Sequence, residues 1–98
     1  SDTAYRYGGE EIVCLLPGAA LPVASRVANR ICRSISGAPF LIDGREPLTV
    51  TLSIGVATLT PEMPTWEDLL AAADRSLYQA KETGRNRVVS FREKRAPA

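Results

Sequence analysis

Two adjacent carboxylates, Glu10 and Glu11, follow directly on two adjacent glycines, Gly8 and Gly9, in the stretch Arg6-Tyr7-Gly8-Gly9-Glu10-Glu11-Ile12. Carboxylate oxygens beside open backbone suit a hard cation such as Mg2+ and the phosphate ester it would hold. Gly reaches positive φ without steric cost, so the glycine pair predicts a hairpin turn. The flanking runs Ala4-Tyr5-Arg6-Tyr7 and Ile12-Val13-Cys14-Leu15-Leu16 predict its strands. Neighbours in a strand point to opposite faces, so Glu10 and Glu11 cannot both face a core. One of them is left beside the turn, where bare backbone lets a ligand come close. On spacing alone, an ordinary Gly-Gly hairpin with two solvated glutamates is the simpler account.

The remaining composition narrows the chemistry. There is no His and only two Cys, Cys14 and Cys32. That excludes a Zn site and a Cys–His nucleophile and leaves acid–base work to carboxylates, Lys or Tyr. Each Cys sits in an apolar pattern and reads as a small buried hydrophobe of a reducing cytosol, not as a disulfide half. A net charge of +1 and a pI near 7.8 argue against bulk nucleic-acid binding, so DNA is not an expected partner. No apolar run reaches membrane-spanning length. The expected location is cytoplasmic, with an anchor in a preceding region still open. At 98 residues the sequence is one small domain or part of one.

Several elements must position these groups. The continuous apolar run Ile12 to Leu16 suits a strand buried on both faces, and Pro17-Gly18 breaks it. A helix then starts between Ala19 and Pro22, because Pro is tolerated only in a first turn, and Gly37 ends it. Its predicted core stripe is Val23, Val27, Ile31 and Ile35, with Ala24 and Ala28. Arg26, Arg30 and Arg33 share another face, a solvated row or a fork set for an anionic partner.

Asp43-Gly44 predicts a second hairpin between Phe40-Leu41-Ile42 and Leu48-Thr49-Val50. Alternation from Leu48 to Thr58 predicts one half-buried strand. Ser53 and Gly55 on it are assigned to packing. Thr65 and Asp68 form a capping-box pattern for a second helix. Its predicted apolar face is Trp66, Leu69, Leu70, Ala73, Leu77 and Ala80, and Gly84 ends it. A last strand, Val88 to Phe91, follows. Lys81 and Arg85 bracket the helix end. They could serve the helix dipole, or clamp a triphosphate.

The opening heptad resembles the signature hairpin of the GGDEF family, the diguanylate cyclases, in a Gly-Gly-Glu-Glu-Ile form. The family usually has Phe or Leu where Ile12 stands, a swap that keeps an apolar strand residue. Thr51-Leu52-Ser53-Ile54-Gly55-Val56 resembles the family's central strand. Ala72 to Lys81 and Gly84-Arg85-Asn86-Arg87 resemble its last helix and turn. The resemblance covers nearly the whole sequence.

It implies an α+β fold, a mostly antiparallel sheet with two main helices, within a palm-like nucleotidyl-cyclase domain. The implied reaction joins two GTP into cyclic di-GMP with release of pyrophosphate, on Mg2+ or Mn2+. It takes place in a homodimer of facing cyclase domains under an upstream sensor or receiver domain. By the same resemblance Glu10 is a metal ligand, and Glu11 assists the metal or activates the attacking hydroxyl. Gly8 and Gly9 admit the nucleotide, and Lys81 and Arg85 hold its phosphates. Asp2, Arg30 and Arg26 belong to an inhibitory site for the product. Arg33 stays a solvated charge.

Family members carry a further strand and two helices before the hairpin, with a second metal-binding Asp, the guanine-reading residues and the Arg that precedes Asp2 in the inhibitory motif. Residues 1–98 are therefore read as the C-terminal portion of one such domain, holding half a site and inactive alone, with a frayed tail over 92–98. Two rivals stand beside the cyclase: a non-catalytic receptor for GTP or cyclic di-GMP, and a purely structural piece.

Overall fold

The computed structural model of the chain describes residues 3–8, 11–16 and 18–91. Strands β1 (Thr3–Gly8) and β2 (Glu11–Leu15) form the antiparallel hairpin expected from the paired glycines. Helix α1 (Leu21–Ser36) follows, then β3 (Ser53–Val56), α2 (Trp66–Glu82) and β4 (Arg87–Ser90).

The α+β expectation holds, but the mostly antiparallel sheet does not. β3 and β4 run parallel, with Ser53 opposite Arg87 and Val56 opposite Ser90. The reason lies between them. A helix that crosses the face of a sheet returns the chain to the end where the first strand began, so the next strand enters in the same direction. Among the described residues the hairpin and the parallel pair are separate two-stranded sheets.

Both helices pack on the parallel pair, from opposite sides. Ile54 and Val56 meet Ala24 and Ala28 of α1, and Leu16, Leu21 and Val88 close around them. Ser25 and Ser90 join α1 to β4 through a 2.6 Å hydroxyl–hydroxyl hydrogen bond. Gly55, one step out of phase, faces α2. A Cβ there would collide with the Ala73 carbonyl oxygen and the Leu77 backbone nitrogen, and would lie 2.9 Å from Leu77 Cα. The packing role expected of Gly55 is thus observed.

The core line of α1 keeps Ala24 and Ala28 of the expected stripe and departs from it elsewhere. Ala24, Ala28 and Cys32 are the buried residues, while Val23 and Ile31 are 43% and 40% exposed. Small side chains let the helix lie close to the short strands, and the larger ones flank the seam. Gly37 does cap α1, with its N–H donating to Arg33 O, but in a right-handed conformation.

In α2 the buried line is Ala72, Ser76 and Ala80. Trp66, expected on the apolar face, is 69% exposed. The helix has 17 residues and the strand beneath it four, so lengths of about 25 Å and about 13 Å face each other. The first turn reaches beyond the length of the strand, and Trp66 there stays largely exposed. That turn is instead held by its cap. Thr65 Oγ1 accepts the Asp68 N–H at 3.3 Å, and Asp68 Oδ2 accepts the Thr65 N–H at 3.1 Å, an arrangement that stabilises by about 1 kcal/mol.

The strand expected over 48–58 shrinks to Ser53–Val56, the length of its partner β4. Ahead of it, Phe40 and Leu48 exchange backbone hydrogen bonds of 2.8 and 2.9 Å around the Asp43-Gly44 turn, so the second hairpin survives as one bridge. No helix among the described residues is long and apolar enough to cross a membrane.

The backbone contact at Gly55 yields a prediction. Gly55→Ala should destabilise the domain by about 2 kcal/mol, the usual cost of forcing atoms into a packed seam. Urea unfolding measures it. An unchanged midpoint would mean that α2 does not sit on Gly55.

Candidate functional site

The candidate residues fall on three parts of the fold. The first is the hairpin. Gly8 pairs with Glu11 across it, with an irregularity in register between Arg6 and Gly8. The register therefore leaves two positions, Gly9 and Glu10, to connect the strands, and both lie outside the described residues, as does Asp2. Glu11 opens β2 directly after the connection. The hairpin strands pair with each other, and Leu16, just past β2, packs against the core.

The second part is the end of α2. Lys81 stands in its last turn, where a cation meets the unpaired carbonyls of the helix. Arg85 lies just beyond, and both side chains are exposed. The turn between α2 and β4 is unusual. Gly84, Arg85 and Asn86 all have positive φ, at 128°, 62° and 48°. Gly takes this at no cost and Asn tolerates it, but for Arg the left-handed region costs about 1–2 kcal/mol.

Contacts on every side hold the turn. The Arg85 N–H donates to Ala80 O at 2.9 Å, the long bond that closes a Schellman-type helix end. Thr83 Oγ1 donates to Gln79 O at 2.7 Å. Arg87 Nε donates to Arg85 O at 3.1 Å. Cys32 Sγ lies 3.5 Å from Leu52 O and 3.7 Å from Asn86 Oδ1, so its S–H ties α1 to the same turn. Cys32 is buried and free, as expected of a small hydrophobe.

The third part is the arginine row of α1. Arg26, Arg30 and Arg33 are all exposed, on the side of the helix away from the buried Ala24–Ala28–Cys32 line. The helix thus separates the row from the sheet. The structure brings Lys81 and Arg85 to one helix end, and it sets the hairpin and the arginine row apart from them.

No three metal-ligating side chains cluster among the described residues. The donors that the hairpin sequence offers, the carboxylates of Glu10 and Glu11, are hard oxygen ligands of the kind Mg2+ or Mn2+ takes. They are too few to fill an octahedral shell, so the remaining ligands must be water, substrate or groups outside this set.

Asn86 and Arg87 stand in the quoted Gly84-Arg85-Asn86-Arg87 run, but the sequence gives them no part in the site. The signal for them was present: a Gly followed by Arg-Asn at a helix end is a turn that a non-glycine residue must share.

Residues 1–87 match the family model described as "Diguanylate cyclase, GGDEF domain". The response regulator PleD of Caulobacter vibrioides is 52% identical over 89 residues, which are 90% of this chain and 20% of PleD. The GGDEF domain of DgcB from Caulobacter crescentus, solved in complex with c-di-GMP, superposes with a TM-score of 0.86 at 30% identity, covering 94% of this chain and 53% of that one. The active GGEEF domain of a diguanylate cyclase from Vibrio cholerae superposes with a TM-score of 0.80 at 26% identity, covering 96% and 58%. The chain thus spans a fifth of the curated relative's length and somewhat over half of these solved chains. With the family model matched over residues 1–87, the chain belongs to the GGDEF domain family.

Proposed function

We propose that the full-length protein carrying this chain is a diguanylate cyclase, which condenses two GTP into cyclic di-GMP. The observation that carries the reading is the Gly8-Gly9-Glu10-Glu11 signature, intact at the hairpin connection of a chain that matches the family over residues 1–87. In each of two rounds a ribose 3′-oxygen forms a bond to the α-phosphorus of the facing GTP. The bond from that phosphorus to the bridging oxygen breaks, pyrophosphate leaves, and the hydroxyl proton passes to a base. Because each GTP attacks the other, two domains must face each other as a homodimer. Control by an upstream sensor or receiver domain fits that requirement.

The chain's own residues divide the work. Gly8 and Gly9 leave room for the nucleotide to approach the backbone. Glu10 and Glu11 would hold Mg2+ or Mn2+, which supplies charge neutralisation at the phosphates. Glu11 would also draw on the attacking hydroxyl. Lys81 brings a mobile point charge and Arg85 a rigid fork to the phosphate chain. Asp2, Arg30 and Arg26 form the inhibitory site for the product.

A second reading, a non-catalytic cyclic di-GMP receptor, draws support from the exposed arginine row of α1. The intact pair of carboxylates favours the cyclase.

Glu10→Ala in the full-length protein should lower cyclic di-GMP synthesis by at least on the order of a hundredfold at saturating Mg2+, since fixed charge at the reacting phosphate is a leading catalytic contribution. Near-normal synthesis would rule out Glu10 as a metal ligand, whereas a wild type that binds cyclic di-GMP and makes none from GTP would favour the receptor. Arg30→Ala should leave the initial rate with GTP alone intact and raise the inhibition constant for added cyclic di-GMP. If the wild type is inhibited and the variant inhibited equally, Arg30 has no part in the product site.

Residues 1–98 alone should make no cyclic di-GMP from GTP and Mg2+, and should self-associate through the unpaired hairpin edges. Chromatography of the products and light scattering test the two halves of that statement separately. Sustained turnover would contradict the first, and a strict monomer the second.

A further inference from the structure

We propose that Arg87 is a positioning residue for Arg85, acting as a clasp over the turn between α2 and β4. The inference rests on the reading of Arg85 as a phosphate ligand and goes a step beyond it. It starts from the conformation of the turn. Three successive residues with positive φ are a strained arrangement, and two of them, Arg85 and Asn86, carry side chains. Such a conformation persists only where its surroundings over-determine it, and it recurs where a side chain must be aimed.

The Arg87 guanidinium supplies that determination. Its Nε donates to the Arg85 carbonyl at 3.1 Å. Its terminal nitrogen lies over Gly84, 2.5 Å from where a Cβ would stand. Gly84 is thus bare on the side the guanidinium covers. The bond to Arg85 O and the bond from Arg85 N–H to Ala80 O grip the same residue from both sides. With its two peptide groups fixed, the only free direction of Arg85 is its own exposed side chain. The Arg87 end of the clasp is itself anchored, because Arg87 opens β4 opposite Ser53.

The clasp depends on a donor nitrogen at one topological position, the fourth atom beyond Cβ counting Cβ as the first. Gln carries its amide nitrogen at that position without the charge. Lys carries a methylene there and its charge one atom further on. The two variants therefore separate a clasp from a second phosphate cation. In the full-length protein, Arg87→Lys should raise the KM for GTP about tenfold with kcat little changed, the loss expected when one charged hydrogen-bond donor is removed. Arg87→Gln should stay close to wild type. In an Arg85→Ala background, Arg87→Lys should add nothing, because the interaction it perturbs is already gone. Amide hydrogen exchange at Arg85 should quicken in Arg87→Lys and not in Arg87→Gln.

The opposite ranking, with Lys tolerated and Gln not, would show that Arg87 acts by charge and overturn the clasp. Independent, multiplying effects of Arg85→Ala and Arg87→Lys would overturn it as well. If Arg85→Ala itself leaves the KM for GTP unchanged, the phosphate reading of Arg85 fails. The exchange rate at Arg85 then decides the clasp alone: quickening in Arg87→Lys supports it, and unchanged protection overturns it.

Discussion

The fold depends on one close approach of backbone to backbone. At Gly55, β3 touches the Ala73 and Leu77 backbone of α2 with no side chain between them. Everything downstream inherits its place from that contact. It sets the height of α2 above the sheet, which is why the buried line of the helix is Ala72, Ser76 and Ala80 and not the larger residues beside it. The same economy of volume appears across the sheet, where α1 presents Ala24, Ala28 and Cys32. A four-residue parallel pair offers little area for burial. Both helices compensate by lying close, since dispersion and apolar burial fall away quickly once a gap opens.

The end of α2 is where this packing meets the chemistry. Lys81 and Arg85 are themselves exposed and make no demand on the core. Their directions come from groups that do: Ala80, fully buried one residue before Lys81, and Cys32, whose sulfur lies between Leu52 and Asn86. A cation held this way loses little freedom when an anion arrives, because the backbone that carries it is already ordered. The hairpin is built on the opposite plan. A two-stranded ribbon is marginal in water, and among the described residues Leu16 is where it meets the layered part.

Much of this was legible in the residues. Gly8-Gly9 located the hairpin, Thr65 with Asp68 located the start of α2, and Pro22 with Gly37 bounded α1, because each is a local rule with one backbone solution. The failures have a common cause. Alternation from Leu48 to Thr58 reports which residues could form a strand, but ladder length is set by the partner, and β4 is four residues long. Hydrophobicity points Val23, Ile31 and Trp66 inward with Ala24, Ala28 and Ala80, while the distance between elements leaves only the small residues of the two helices buried. The strand–helix–strand order of β3, α2 and β4 already implies a parallel pair, against the mostly antiparallel sheet that the family resemblance implied. In the candidate site, residue types and spacing left Glu10, Glu11, Lys81 and Arg85 with ordinary structural accounts, and the resemblance to the GGDEF family supplied their expected roles. No local rule gives the φ of Arg85, which arises from contacts with Ala80 and Arg87.

The parallel pairing of β3 with β4 also bears on how the chain acquires its shape. Ser53 meets Arg87 only after the whole of α2 has formed and folded back, so the ladder closes a long loop before any of its bonds can form. Local elements such as α1, α2 and the β1–β2 hairpin need no such closure and can form early. The left-handed turn at Gly84, Arg85 and Asn86 sits at the very point where that loop shuts. A nascent or partly unfolded chain can therefore hold most of its helix and still lack the geometry that aims Arg85. On the proposed reading of Arg85 as a phosphate ligand, nucleotide affinity would rise late along the folding route, in step with the last long-range contact to form.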